Sequence, residues 1–161
     1  MISKFLKKGQ KGFTIIEVMI VLAIAGLILV VVLVAVPQLQ RNQRNSARTS
    51  ILARISTEIA NYSGNNNGNI PLTQTDLDSV TSRYLASVNI KDPSSGVNMP
   101  LVRPGSAPAT GTVPGSTQGT ANYYNGYVCD GERVTTTGAT ARNYALWTQL
   151  EGTAVNCISN N

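Results

Sequence analysis

The chain has 161 residues, a formal charge of +5 and no histidine. That length suits one domain or slightly more, and the missing histidine removes the commonest general base and zinc ligand. The basic excess is unevenly placed: four of the 13 lysines and arginines precede Gly12, and from Phe13 onward nine basic side chains face eight acidic ones. Nucleic-acid binding wants a clustered basic face, and this distribution does not supply one.

Residues 1–12 form a short cationic leader with Lys4, Lys7, Lys8 and Lys11. The next 24 residues, Phe13 to Val36, are hydrocarbon apart from Thr14, Glu17 and Gly26. As a helix this run spans roughly 36 Å, enough to cross a bilayer core. A cleaved secretory signal has a shorter apolar core, of roughly 7–15 residues, ending in a small-residue cleavage site. This run instead continues to Val36-Pro37. Lysines before the span favour a cytoplasmic N-terminus, opposed by Arg41, Arg44 and Arg48 after it. Glu17 stands alone among apolar residues. A carboxylate near mid-membrane costs on the order of 3 kcal/mol, which marks it as functional.

The stretch Gly12-Phe13-Thr14-Ile15-Ile16-Glu17 resembles the class III signal of type IV pilins and pseudopilins. A basic leader, a glycine before the junction, a phenylalanine after it, a glutamate at fixed spacing and an apolar helix all coincide. The resemblance implies cleavage between Gly12 and Phe13 by a prepilin peptidase/methyltransferase, which then methylates the new amine on Phe13. It implies a precursor held in the cytoplasmic membrane by lipid, with its N-terminus cytoplasmic and its head exported. The membrane platform of the pilus assembly machine would then pass subunits into a homo-oligomeric helical filament outside the cell. Glu17 would pair with the amine of Phe13 and fix assembly register, a use of buried polar pairs known from coiled coils. In that family the helix can melt between a glycine and a proline, here Gly26 and Pro37, although this proline lies three residues beyond its usual place.

The helical pattern resumes over residues 37–62. Ile51, Leu52, Ile55, Ile59 and Tyr62 recur on one face, so this half is amphipathic and continues the apolar half. Pro37 is expected to kink or interrupt it. Arg41, Arg44 and Arg48 form a basic stripe, read as a headgroup anchor and solvated flank, with pairing to acids or carbonyls of a neighbouring subunit as the alternative.

Residues 63–161 form a globular head. Ser-Gly-Asn-Asn-Asn-Gly-Asn at 63–69 stops the helix. A short helix follows over 74–86, capped by Thr73 or Thr75, with Asp76 and Asp78 early and Leu77, Val80, Tyr84 and Leu85 apolar. The Pro/Gly-rich stretch 93–119 reads as a long exposed loop, with an edge strand near 97–103. Residues 121–159 read as sheet. Ala121 to Cys129 is one strand, Asp130-Gly131 a hairpin turn, Glu132 to Thr137 the return, Arg142 to Leu150 the strongest strand and Ala154 to Ser159 the last. The expected fold is α+β: a long N-terminal helix packed on a C-terminal antiparallel sheet of three to four strands.

Cys129 and Cys157 both lie in the exported part, where a disulfide is permitted. Their bond would close the C-terminal sheet and resembles the disulfide-bounded region of many pilins. No G-x-S-x-G, H-E-x-x-H, P-loop or zinc-ligand set occurs. The chain therefore reads as a non-enzyme with no catalytic residue, metal site or cofactor. The function implied is a type IV pilus subunit serving adhesion, surface motility or DNA uptake. The alternatives are a type II secretion pseudopilin or a signal-anchored extracellular binding protein. The major pseudopilin typically has an acidic calcium loop near its C-terminus and no cysteine pair, whereas residues 151–161 here hold one acid.

Overall fold

The computed structural model describes residues 12–160. The four leader lysines lie outside the described residues. The chain divides into two compact units, one ending at Gln40 and the other beginning at Arg41. The helix α1 (Ile15–Asn65) supplies residues to both.

In the first unit every described residue is exposed. The helix there is apolar all round, with Leu22 66% and Leu33 66% exposed. A surface of this kind is stable only in lipid or against other apolar helices. The helix runs unbroken through Gly26 and Pro37, so the expected interruption at Pro37 does not occur. Proline deletes one backbone bond, to Leu33, and costs about 3 kcal/mol. The intact bonds on either side carry the helix across.

In the second unit α1 becomes amphipathic, burying Ile51, Leu52, Ile55 and Ile59. It ends where the chain turns through Asn67 (φ 55°) and Gly68 (φ 78°), and the Gly68 amide returns to the Ser63 carbonyl at 2.8 Å. Here a left-handed pair satisfies carbonyls left open at the helix end. The second helix α2 (Gln74–Arg83) is shorter than expected, ending three residues before Ala86. Thr73 is its N-cap. Its side chain accepts from the Asp76 amide, and Asp76 accepts from the Thr73 amide, a reciprocal capping box. The backbone hydrogen bonds from Leu72 and Thr73 hold the Asp76 carboxyl below its ordinary value.

Six strands follow: β1 (Leu101–Val102), β2 (Ala121–Asn125), β3 (Val128–Asp130), β4 (Arg133–Thr135), β5 (Tyr144–Gln149) and β6 (Val155–Ser159). They do not form a single meander. The main sheet has the order β1-β2-β5-β6, and β3 pairs separately with β4. Strands β2, β5 and β6 are antiparallel, but β1 runs parallel to β2, with Leu101 opposite Ala121. The sheet is therefore mixed rather than antiparallel. Parallel neighbours need a long crossover, and the Pro/Gly-rich residues 103–120 provide it. The stretch expected to be one strand, 121–129, breaks at Gly126 (φ 76°), whose amide bonds the Asn143 carbonyl at 2.7 Å. The hairpin loop is Gly131-Glu132, one residue later than expected, since Asp130 pairs with Arg133. Gly131 (φ 61°) supplies the positive φ such a loop needs.

Both faces of the main sheet are covered. On one, Tyr123, Tyr144 and Leu146 pack with Leu52, Ile55 and Ile59 of α1 and with Leu77 and Val80 of α2. On the other, Ala145 and Trp147 pack with Val155 and with Val134 of the β3–β4 hairpin. Alternation along β5 sends successive side chains to the two cores. A disulfide joins Cys129 on β3 to Cys157 on β6, with Cα atoms 5.8 Å apart. It clamps the hairpin onto the second face.

Candidate functional site

Two sets of charged groups stand out. The first is at the start of α1. Gly12, Phe13 and Thr14 are exposed and outside the helix, with Phe13 89% exposed. The Gly12–Phe13 bond is therefore in open, non-helical backbone. Four residues on, Glu17 lies in the first helical turn, where the helix dipole favours an acid. Its Oε2 accepts from both the Thr14 amide and the Thr14 hydroxyl, each at 2.8 Å, and the Glu17 amide donates to Thr14 Oγ1 at 3.3 Å. These reciprocal bonds form a second capping box. Thr14 thus gives the carboxylate two donors, neither of them charged. Thr-x-x-Glu before an apolar run is the sequence signal for this box.

The second set corrects the reading of the arginine stripe. Arg44 and Arg48 are not a solvated flank. Arg48 is fully buried and Asp92 is 3% exposed. Arg48 Nε donates to Asp92 Oδ1 at 2.6 Å, and its Nη2 donates to Asp92 Oδ2 at 3.4 Å and to Ser94 Oγ at 2.6 Å. The amides of Ser94 and Ser95 donate to Asp92 Oδ2 at 3.0 and 3.1 Å. Arg44 grips Glu151 through Nε and Nη2, the latter at 2.8 Å, and Arg48 Nη1 lies 3.6 Å from Glu151 Oε1. The Glu151 amide donates to Asn45 Oδ1 at 2.7 Å. One turn of α1 thus clasps the loop around residue 92 and the β5–β6 connection together. Arg41 remains exposed.

Burial raises the Asp92 carboxyl, but hydrogen bonds from Arg48 and from the Ser95 and Ser94 amides outweigh it, and the net shift is downward. The Arg44 hydrogen bond, against some desolvation, takes Glu151 down to about 2. Both acids are charged at neutral pH. Their sequence signal was weak because the pair partners are far apart in the chain.

Among the described residues, no group of three or more His, Cys, Asp or Glu side chains is placed to hold a metal. Chemically, the clasp can bear load and fix orientation. The N-terminal set offers an accessible peptide bond beside an acid held at a helix start.

Residues 7–33 match the family model described as the prokaryotic N-terminal methylation motif. No curated protein and no solved structure matches the chain. The matched segment contains Gly12, Phe13, Thr14 and Glu17 and most of the apolar helix.

Proposed function

From this N-terminus, the class III signal of type IV pilins and pseudopilins, we propose that the chain is the structural subunit of a type IV pilus. Its precursor sits in the cytoplasmic membrane with the N-terminus inside and the head exported. A prepilin peptidase cuts between Gly12 and Phe13 and methylates the Phe13 amine. The assembly platform then lifts the mature subunit into an extracellular filament whose core is the apolar half of α1. The observation that carries the reading is the matched motif at the head of an all-round apolar helix.

Cleavage removes the lysines that resist entry into an apolar core and creates a cation near Glu17. The Phe13 amine of the same or a neighbouring subunit then competes with Thr14 for Glu17, because a cationic donor adds a coulombic attraction that the neutral Thr14 amide and hydroxyl lack. Register follows, since a buried carboxylate without a partner is costly. Gly26 and Pro37 are where the helix yields on assembly: one lowers helix propensity and the other lacks a backbone donor.

The cysteine bond and the single acid of residues 151–160 support a pilus subunit over a calcium-binding pseudopilin. Glu151 is spent on Arg44 and Arg48 and is not available as one of several metal ligands. Intact mass of the filament form tests the function. The expected mass begins at Phe13 and carries one added methyl group. A filament-bound chain that retains its leader would overturn it. Glu17→Leu is expected to abolish filaments while leaving cleavage intact, and wild-type filament yield from that variant would remove the register role.

A further inference from the structure

Charged groups that neither the clasp nor the caps use lie on both sides of the main sheet in mixed sign, with Arg103 over the Tyr124 ring and Arg133 opposite Asp130 on the hairpin side. On the side covered by α1, the residues Ala47, Ser50, Ile51, Arg54, Asn89 and Lys91 line a groove of about 310 Å³. Arg54 and Lys91 are exposed there, and no acid lines the groove. Arg54 Nη1 is held by the Asn89 carbonyl at 3.3 Å, while the nearby Glu58 is engaged by Asn61. On the opposite side the β3–β4 hairpin presents Asp130-Gly131-Glu132, with both acids exposed and without an ion pair among the described residues. Arg133 follows them in β4.

The groove borders the face where Leu52 and Ile55 meet Tyr144 and Leu146, and the hairpin lies over the face of Ala145 and Trp147. Because the sheet separates them, the two patches cannot meet within one copy. Two complementary patches on opposite sides of one chain make a heterologous contact, which repeats without closing and builds open helical assemblies. The disulfide at Cys129, next to Asp130, fixes the acidic loop before contact, so little ordering is lost on docking.

We infer that the Asp130-Gly131-Glu132 loop of one copy docks into the Arg54/Lys91 groove of a second copy. This rests on the filament-subunit reading and names the head-to-head partner surfaces within it. Exposed ion pairs are individually weak, so the contact sets orientation between heads, while the apolar helices supply cohesion.

The test uses purified wild-type filaments treated with a water-soluble carbodiimide. The reagent takes up the elements of water as it joins a carboxylate to a lysine amine in an amide bond. Peptide mass spectrometry should find Lys91 joined to Asp130 or Glu132 of another copy. A second arm reverses charge at exposed positions. Arg54→Glu with Lys91→Glu should lower filament yield several-fold, and so should Asp130→Lys with Glu132→Lys. All four changes in one chain should return yield to within about twofold of wild type, with Trp147 emission confirming the fold of each variant. Filaments without the cross-link, reversals with full yield, or a four-fold variant no better than its parents would overturn this inference alone. Absence of any wild-type filament would overturn the filament reading and this inference with it.

Discussion

The clasp between Arg48 and Asp92 makes the sharpest energetic prediction. Both side chains are buried, Arg48 completely and Asp92 to 3% exposure. Asp92→Ala removes the acceptor of the 2.6 Å bond from Arg48 Nε and strands the Ser94 and Ser95 amides. Leaving one member of a buried ion pair without its partner costs about 3–5 kcal/mol. In a head of this size that is a fall of roughly 10–20 °C in Tm. Arg48→Met strands a carboxylate that keeps two amide donors, and the expected cost is about 3 kcal/mol, at the low end of that range. The double variant Arg48→Met/Asp92→Ala removes both charges, so it should cost less than Asp92→Ala alone, because the desolvation of both ions is avoided. The assay is urea unfolding of the full-length, disulfide-intact chain in detergent, followed by fluorescence of Trp147, the single tryptophan and 1% exposed. A loss below about 1 kcal/mol for Asp92→Ala, or a double variant equal to the sum of the singles, would refute the argument that the pair is coupled and buried.

Acid should loosen the same region. Asp92 and Glu151 have lowered carboxyls in the folded state, so their contribution is complete above the unfolded values and is lost as pH falls. The urea midpoint should be flat from pH 7 to 5 and then drop between 4.5 and about 2 for the Glu151 part. Glu151→Gln should flatten that window, and an unchanged slope would count against the Arg44–Glu151 grip. Reducing Cys129–Cys157, which closes a separation of 28 residues, should cost about 3.5 kcal/mol on chain-entropy grounds. A calorimetric shift under about 1 kcal/mol would show that the hairpin is held by packing alone. Ile55→Ala should cost about 2–5 kcal/mol, because Ile55 is fully buried between helix and sheet. Tyr123→Phe removes the hydroxyl bonded at 2.8 Å to the Pro71 carbonyl and should cost about 1–3 kcal/mol by leaving a buried acceptor open. A neutral result in thermal unfolding for either would contradict the packing described.

What the sequence by itself determined lies in local patterns. The Gly12-Phe13…Glu17 spacing and the apolar run behind it are short-range patterns, and the switch to one buried stripe at Ile51, Leu52, Ile55 and Ile59 is a helical periodicity; neighbours along the chain impose all three. The Thr14–Glu17 box was equally local and was there to be read. The tertiary structure alone decided matters that depend on residues far apart. Alternation along Tyr144-Ala145-Leu146-Trp147 shows a strand but not that both its faces are buried, because the second cover is a hairpin that leaves the sheet at Gly126. The parallel placement of Leu101 against Ala121 needed the crossover to be seen in space. Most of all, Arg44 meets Glu151 across 107 positions and Arg48 meets Asp92 across 44. Arginines at helical spacing look the same whether they face water or a carboxylate. Only folding brings the acids within reach, and desolvation then turns a surface stripe into a buried clasp.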